Sequence, residues 1–374
     1  MFRLNFIFII ALIFTSIYCN STDDKSVDRT TSNGDFTLPP GFNISIYAEN
    51  LPGARSMTLS PSGIIYIGSR SEGNVYALLD TNKDYKIDKT ITVLKNLNIP
   101  NGVAFKNGSL FVAEQNRVLR FDNIEQDLNN PPQAKVVNDN FPNESSHGWK
   151  YLAFGPDNKL YVPVGAPCNV CLENDTRFAS LMRMNEDGSQ LEVYASGIRN
   201  TVGFSWHPTT KELWFTDNGR DLLGDNIPPD ELNKAPTIGL HFGFPFMFGK
   251  SILDPDFGQN IDTSKFVKPV QELGPHVAAL GLKFYTGNMF PSEYKNQIFI
   301  AEHGSWNRSE KIGYRVTIVK LDESGKALEY TPFVEGWLKN GNVSGRPVDI
   351  LILEDGSMLI SDDDGGKIYR VTYQ

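Results

Sequence analysis

Short apolar segments alternate with turn residues along almost the whole chain, and the same unit recurs. Each unit has an apolar strand, a turn containing Gly, Pro or Asn, and a second strand rich in Ile, Tyr, Phe and Val. This is the pattern of a β-hairpin. Six copies begin at Met57, Val103, Leu152, Val202, Leu282 and Ile350.

This repeat predicts an all-β fold: a six-bladed β-propeller of four-stranded antiparallel blades over residues 38–374. Hairpin repeats spaced about 40–50 residues apart are typical of propeller blades. The segment Asn43–Ala48 has no hairpin of its own, so we expect it to add the outermost strand to the last blade and close the ring. A β-sandwich is the alternative, but it does not account for six copies of one hairpin.

The N-terminus has the pattern of a secretory signal peptide. Arg3 precedes an apolar run from Phe6 to Phe14, and small or polar residues follow. We predict a signal peptide over residues 1–19, a secreted, extracellular protein and no membrane attachment after cleavage. A membrane anchor is the alternative, although the run is shorter than the roughly 20 residues of a spanning helix. The polar residues 20–37 predict a flexible leader.

Composition excludes one class of partner. The chain carries 44 acidic and 35 basic residues, a net charge of −9, without a Lys/Arg-rich run. Nucleic acid is therefore not an expected partner, because phosphate binding needs a cationic surface. No P-loop, dinucleotide-binding glycine motif or Gly-x-Ser-x-Gly elbow occurs, so a nicotinamide enzyme or a familiar serine hydrolase is unsupported.

Two cysteines remain after the predicted cleavage, Cys168 and Cys171. In an oxidising compartment such a pair forms a local disulfide, whereas in the cytosol it indicates redox chemistry or half a zinc site. No second pair completes a zinc set, which favours the disulfide. Asn-x-Ser/Thr sequons fit a glycoprotein; they lie at Asn20, Asn43, Asn107, Asn143, Asn174, Asn307 and Asn342.

Candidate chemistry lies just before the repeat strands, where loops of a propeller converge on one mouth of the channel. His147 precedes the third repeat strand and Arg199 the fourth. A histidine is the usual general base near neutral pH. An arginine offers a fixed cation for an oxyanion or carboxylate. An ordinary loop histidine and a solvated arginine are the alternatives.

Two acidic segments have oxygen atoms suited to calcium. The first, Thr216–Asp221 with Pro229–Asn233 after it, offers backbone carbonyls next to carboxylates, or is a solvated acidic loop. The second, Asp80–Asp88, has the spacing that begins a calcium loop, but Tyr85 replaces the turn glycine and Ile91 the closing glutamate. An ion-free hairpin turn is the other interpretation.

Several stretches match one family in order along almost the whole mature chain: His147–Asp157, Cys168–Cys171, Gly197–Asn200, Thr216–Asp221, Pro229–Asn233, His303–Ser309 and Gly345–Asp349. Together they resemble the sorbosone dehydrogenases, relatives of the soluble aldose and glucose dehydrogenases that use pyrroloquinoline quinone. The resemblance implies a quinoprotein oxidoreductase that acts on a small sugar.

The resemblance also implies roles for individual residues. His147 matches the base that takes the sugar hydroxyl proton while hydride passes from the anomeric carbon to C5 of the quinone. Arg199 matches the arginine that stabilises the oxygen becoming negative, and Asn200 its neighbour at the quinone. Backbone carbonyls of Gly219 and Arg220 match the positions that hold Ca²⁺, a Lewis acid.

Further matches concern charge around the quinone, which is a trianion near neutral pH. Arg346 matches a basic residue near a quinone carboxylate, and Trp306 and Arg308 belong to a segment expected to face the cofactor. Asn101 is a looser match to a substrate-contacting amide. The electron acceptor is not defined by the sequence.

The chain departs from the glucose-oxidising relatives at three places. Val348 stands where a second arginine occurs, Phe244 replaces a tryptophan, and Asn307 lies in a sequon within the segment expected to face the cofactor. Two other functions therefore stay open. One is a propeller that only binds a carbohydrate or a partner, and the other is a metal-dependent hydrolase of the lactonase type.

Overall fold

The computed structural model describes Met1, the backbone of residues 30–32, and residues 36–374. The predicted signal peptide beyond Met1 and most of the predicted leader lie outside the described residues. The described chain is built almost entirely from β-strands, with three short 3₁₀-helices. Within it, no helix has both the length and the apolar character needed to cross a membrane.

In chain order the strands are β1 (Thr30–Ser32), β2 (Phe36–Leu38), β3 (Phe42–Ala48), β4 (Ala54–Leu59), β5 (Ile65–Ser69), β6 (Val75–Leu79), β7 (Lys89–Leu94), β8 (Gly102–Lys106), β9 (Ser109–Ala113), β10 (Val118–Phe121), β11 (Lys135–Asn138), β12 (Ala153–Phe154), β13 (Leu160–Val164), β14 (Ser180–Met184), β15 (Glu192–Ser196), β16 (Phe204–Trp206), β17 (Leu213–Asp217), β18 (Pro229–Ala235), β19 (Leu240–His241), β20 (Met247–Phe248), β21 (Ile252–Leu253), β22 (Gln271–Pro275), β23 (Ala279–Phe284), β24 (Ile298–Glu302), β25 (Arg315–Leu321), β26 (Ala327–Glu335), β27 (Leu338–Lys339), β28 (Asn342–Val343), β29 (Pro347–Ile352), β30 (Met358–Asp362) and β31 (Lys367–Tyr373). The 3₁₀-helices are Ile124–Gln126, Thr263–Lys265 and Ser292–Tyr294.

Six sheets form the blades, so the predicted six-bladed propeller is confirmed. Their successive strands are antiparallel, except that the two-residue strand β19 adds parallel to β15 in the third blade. From the innermost strand outward, the blades are β4–β7, β8–β11, β12–β15, then β16, β17, β18 and β22, then β23–β26, and finally β29, β30, β31 and β3. The innermost strands contact their neighbours around the axis, and apolar side chains fill the space between successive blades.

The ring closes as the sequence predicts. Strand β3 lies antiparallel to β31, with Ile44 opposite Val371, and supplies the outermost strand of the sixth blade. Strands β1 and β2, in the interval predicted as a leader, extend the fifth blade beyond β26. Strand β2 is held by apolar packing, since Leu38 is fully buried and the Phe36 ring contacts Trp337 edge-on.

The inner strands approach so closely that a side chain is excluded between them. A Cβ at Gly203 would lie 2.3 Å from the Leu280 carbonyl oxygen and 2.5 Å from the Cα of Gly281. Backbone atoms cannot yield at these distances, so the fourth and fifth blades pack together only with glycine here. This tight ring gives the loops at its mouth a rigid base.

Candidate functional site

Residues immediately before the inner strands line a cavity of about 460 Å³ at one end of the propeller axis. Five of the six blades contribute Arg55, His147, Arg199, Ala278 and Arg346 to its wall. Arg55 is the second residue of β4, and the other four precede the innermost strands of their blades by one to six residues, which is why residues far apart in sequence converge here. The cavity combines cationic and apolar surface, as small-molecule sites do.

A single residue joins the two side chains that the sequence singled out. The Ala166 amide donates to the Arg199 carbonyl at 2.8 Å, and the Ala166 carbonyl oxygen lies 2.7 Å from His147 Nδ1. Two adjacent blades thus deliver an imidazole and a guanidinium to the same cavity. Their relative position therefore depends on the backbone at Ala166, two residues after β13 ends.

The hydrogen bond to Ala166 decides which nitrogen of His147 is basic. A carbonyl oxygen only accepts, so Nδ1 carries the proton and Nε2 keeps its lone pair. Burial, and secondarily the charge of Arg199, lowers the pKa of His147 to about 4. The ring is therefore neutral near pH 7, in the form that can accept a proton.

This protonation state can be tested by NMR on ¹⁵N-histidine-labelled protein without added quinone. Because the His147 pKa lies below its usual 6.5, we expect a neutral Nδ1–H tautomer throughout pH 5–7. The substitution Arg199→Met should raise that pKa but keep it below 6.5, because burial is the larger cause. A His147 midpoint near 6.5 in the unsubstituted protein would contradict this assignment.

Hydrogen bonds within the described part of the chain hold Arg199 and leave one of its donors uncommitted. Nε donates to the Asn169 carbonyl at 2.8 Å, and Nη1 donates to the Asn218 carbonyl at 3.2 Å. Nη2 donates to Asn169 Oδ1 at 3.0 Å and to Asp221 Oδ2 at 2.9 Å. A guanidinium has five N–H donors, so one Nη1–H is left beside the cavity.

The disulfide loop takes part in this support. Cys168 and Cys171 pair as predicted, with their Cα atoms 6.2 Å apart. Between them lies Asn169, which accepts from Arg199 through both its carbonyl and its side chain and also accepts from the Asp221 amide at 2.8 Å. The cysteine pair therefore closes the turn that positions Arg199.

Glycine at position 165 allows His147 to approach this segment. A Cβ at Gly165 would lie 2.4 Å from the Cβ of His147 and 3.3 Å from the Arg199 carbonyl oxygen. The backbone of His147 already has a positive φ of 49°, a conformation that leaves few alternatives. Any residue larger than glycine would therefore displace His147 from the position that its bond to Ala166 defines.

Under the quinone-dependent activity that the sequence resemblance implies, we expect Gly165→Ala to lower kcat about 100-fold, since a shift of about 1 Å can cost that much. The control is Gly155→Ala at the other end of β13, where a Cβ would meet Asp157 Oδ1 at 2.6 Å. Its steric conflict is similar, but it lies away from the cavity and should spare kcat. Equal losses in both variants would mean that general destabilisation is responsible.

A buried charge network supports the opposite wall. Arg55 Nη1 donates to Asp363 Oδ2 at 2.7 Å, and His303 Nε2 donates to Asp363 Oδ1 at 2.8 Å. Burial lowers the pKa of His303 to about 4, while His303 and Arg55 hold the pKa of Asp363 below its usual range. His303 is thus a neutral donor, and Asp363 neutralises Arg55.

Two arginines at the cavity have no such neutralisation. Arg346 donates through Nε to the His303 carbonyl at 3.0 Å and through Nη2 to the Gly304 carbonyl at 2.8 Å. The guanidinium of Arg70 lies 5.1 Å above the Trp149 ring. Within the described chain, neither arginine forms an ion pair with a carboxylate, so both present net positive charge to a ligand.

An apolar surface completes the cavity. Val202 and Leu280 line it, and Val348 and Trp149 pack with them. Val348, the departure from the arginine of the glucose-oxidising relatives, is almost fully buried. Where those relatives have a cation, this chain therefore has an apolar side chain that packs against Val202 and Leu280.

The loop predicted to hold calcium forms one edge of the cavity. Gly219 lines it, and its amide donates to Asp230 Oδ1 at 2.9 Å. Burial raises the pKa of Asp230 to about 7. Arg220 turns its side chain away, toward Asp254. Within the described residues, no hydrogen bond ends on the carbonyl oxygen of Gly219 or Arg220.

Other predicted site residues lie outside the cavity wall. Asn101 is fully buried behind it, where Oδ1 accepts from Arg55 Nε at 2.5 Å and Nδ2 donates to the Lys150 carbonyl at 2.9 Å. Arg308 donates to the Asp225 carbonyl and, at 3.1 Å, to that of Glu310. Phe244 packs against the disulfide loop.

Asn200 and Trp306, by contrast, line the cavity. The backbone N–H of Asn200 donates to Asp217 Oδ1 at 2.6 Å. Trp306 is 69% exposed at the mouth. Asn307 donates through Nδ2 to Asp221 Oδ1 at 2.9 Å. Its sequon nitrogen is therefore already committed inside the protein.

The second acidic segment forms a turn. Asp80 Oδ2 accepts from the Tyr85 amide at 2.7 Å, and Asn82 Oδ1 accepts from the Asp84 amide at 3.0 Å. In the described part of the chain, no three His, Cys, Asp or Glu side chains converge as a metal-binding group.

Four residues of the cavity and its supporting network are not predicted from the sequence: Arg55, Arg70, Trp149 and Asp363. One signal was available for Arg55, which stands two residues before Met57, where its repeat begins, much as Arg346 stands four residues before Ile350 in the last blade. Asp363 directly follows β30, not the start of a repeat, so its position in the sequence does not indicate a role in the site. Its role depends on the meeting of the sixth and first blades.

The fold and site define a class: a six-bladed propeller with a cation-lined cavity at its axis. A family profile described as a domain of unknown function, DUF7133, matches residues 34–306, and one described as TrAA12-like matches residues 242–374. An uncharacterized protein of Borreliella burgdorferi is 36% identical over 378 residues, 97% of each chain. The chain belongs to the DUF7133 family.

Two solved structures share the fold. The calcium structure of a carbohydrate-active enzyme of family AA12 from Trichoderma reesei has a TM-score of 0.78 at 18% identity, covering 91% of this chain and 97% of that one. The holo PQQ domain of pyranose dehydrogenase from Coprinopsis cinerea has a TM-score of 0.74 at 19% identity, covering 90% and 97%. In sequence, that fungal enzyme is 34% identical over 124 residues, 28% of this chain and 16% of its own.

Proposed function

We propose that this protein is a quinoprotein oxidoreductase, a dehydrogenase that oxidises the anomeric carbon of an aldose or sugar aldehyde with pyrroloquinoline quinone. One observation carries the proposal: a neutral imidazole and a fixed guanidinium, joined through Ala166, face one cation-lined cavity. The printed names of the Coprinopsis and Trichoderma proteins, a PQQ domain and a carbohydrate-active enzyme, support it.

The residues present fit the quinone. Its carboxylates need cations, and Arg346 and Arg70 supply unneutralised ones. Its flat ring needs apolar surface, which Val202 and Leu280 provide. The Asn307 Oδ1 atom is buried without a hydrogen-bond partner in the described structure, so a ligand donor can satisfy it.

A calcium ion also fits the donor set. The carbonyl oxygens of Gly219 and Arg220 are hard ligands of the kind that Ca²⁺ takes. Asp254 anchors the Arg220 side chain away from the cavity, which fixes the course of this backbone. The Trichoderma relative was solved as a calcium structure.

The chain's own groups suit proton transfer and charge stabilisation. When bound, the quinone supplies a hydride acceptor and the calcium ion a Lewis acid beside it. His147 Nε2 accepts the proton of the sugar hydroxyl, while Nδ1–H stays bonded to Ala166 and holds the ring. The remaining Nη1–H of Arg199 donates to oxygen that gains negative charge. Trp306 covers part of the mouth.

Reconstitution tests this function. Purified protein with added quinone and Ca²⁺ should reduce an electron-accepting dye in the presence of a reducing sugar, and chelation of Ca²⁺ should abolish the reaction. A panel of aldoses defines the sugar. Quinone binding without turnover on any sugar would favour a binding propeller, and hydrolysis of a lactone without quinone would favour the hydrolase.

The proposal includes an extracellular setting. The apolar N-terminal run and the Cys168–Cys171 disulfide support it, because such disulfides persist in oxidising compartments. Detection of the protein outside cells, with its N-terminus cleaved near residue 19, would test this point.

A further inference from the structure

A second cleft, here called the side cleft, opens beside the central cavity between the sixth and first blades. Its volume is about 780 Å³, and it shares Arg70, Trp149 and Arg346 with the cavity. Its other walls are the loop of residues 49–53 after β3, the residues after β5, and the turn of residues 363–367 between β30 and β31. The mechanism above does not use it.

The walls of the side cleft are held by hydrogen bonds within the protein. The Leu51 amide donates to the Gly366 carbonyl at 3.0 Å, and the Arg70 amide to the Gly53 carbonyl at 3.2 Å. Asp362 Oδ1 accepts from the amides of Arg346 at 2.7 Å and Gly365 at 2.8 Å. A ligand therefore meets a formed site and loses little free energy in ordering it.

The chemistry of the lining suits a neutral polyhydroxyl ligand. Exposed carboxylates of Glu49, Glu72 and Asp364 face the same space as the cations Arg70, Arg346 and Lys367. These groups offer both acceptors and donors to hydroxyls, their opposite charges balance and so favour neither an anion nor a cation, and the density of charge disfavours an apolar ligand.

Trp149 connects the side cleft to the proposed base. It stands two residues after His147 on the same loop, and its indole lines both spaces. Aromatic faces provide apolar contact for one side of a ring while polar neighbours bind its edge. Because Trp149 lines both spaces, it gives the units linked behind a sugar at His147 a continuous wall toward the side cleft.

We infer that the side cleft is a subsite for the distal units of a saccharide, and that the substrates are oligosaccharides with a free reducing end. This inference rests on the proposed function and specifies its substrate class. The reducing sugar presents its anomeric carbon to His147, and the units linked behind it bind along Trp149 and the side cleft.

Steady-state kinetics on the reconstituted enzyme tests the inference, with glucose, maltotriose and cellotriose as substrates. We expect kcat/KM for the better trisaccharide to exceed that for glucose about 10-fold, the worth of one or two hydrogen bonds. Ser71→Trp, which fills the side cleft, and Glu72→Gln, which removes a carboxylate, should both lower this ratio toward one.

The control is Glu354→Gln, in the exposed turn between β29 and β30 at the other end of the sixth blade. Like Glu72→Gln, it removes one negative charge, and it should leave the ratio of the kcat/KM values for trisaccharide and glucose unchanged. Equal kcat/KM for glucose and both trisaccharides, with no response to either cleft variant, would overturn the subsite and leave the proposed dehydrogenase intact.

Binding without turnover separates the two proposals. Maltotriitol and cellotriitol have no anomeric carbon to oxidise, and calorimetry can compare them with sorbitol on the reconstituted protein. Binding of either triitol that Ser71→Trp weakens supports the subsite, even if no sugar is oxidised and the dehydrogenase fails. Binding no tighter than that of sorbitol would overturn it.

Discussion

Replacing His147 by asparagine should lower kcat about 10²–10⁴-fold, the usual contribution of a general base, and leave quinone binding nearly unchanged. Asparagine tolerates the positive φ of this position and can still donate to Ala166. It has no basic nitrogen, so the variant removes proton acceptance and little else. Dye reduction gives kcat, and absorbance titration gives the quinone affinity.

His207→Asn is the matched control. His207 Nδ1 accepts from the amides of Thr209 at 3.2 Å and Thr210 at 3.1 Å in a hairpin turn outside the cavity. The same substitution there should change kcat less than twofold, whereas added imidazole should partly restore the His147 variant. If His147→Asn keeps kcat within tenfold of the parent, proton acceptance belongs to another group and the mechanism fails.

Asp363→Asn should cost about 3–5 kcal/mol of unfolding free energy at pH 7, the range for breaking a buried ion pair. The side chains of Arg55 and Asp363 are each only 3% exposed. The amide keeps the shape of the carboxylate but leaves the Arg55 charge buried without a counter-charge. Urea denaturation followed by intrinsic fluorescence measures the shift.

The difference between parent and variant should shrink in acid. Because the folded pKa of Asp363 lies below its usual value, its stabilisation is complete above the ordinary carboxyl range and is lost as pH falls through the folded pKa. The control, Glu329→Gln, breaks an exposed pair with Lys320 at 2.9 Å and should cost about 0.5 kcal/mol or less. Similar costs for both variants would show that the buried network adds no more than a surface pair.

The blades could be read from the chain because a hairpin is local. Alternating apolar residues and turn residues occur within each repeat, so six copies predict six blades, and a lone strand at Asn43–Ala48 predicts the closure. Strands β1 and β2 show the limit of this reasoning. Their short, polar segment does not repeat the apolar hairpin of the blades, and their place depends on the pairing of β2 with β26 and on the packing of Phe36 on Trp337.

The sequence by itself determined where His147 and Arg199 stand relative to their strands, and hence that both reach the mouth. Only the tertiary structure decided that Asn101 lies behind the wall, that Arg308 bonds to the Asp225 carbonyl, and that Asp363 neutralises Arg55. The physical reason is range: strand pairing follows from neighbouring residues, whereas the partner of a buried charge is chosen by the three-dimensional meeting of blades that are distant in sequence.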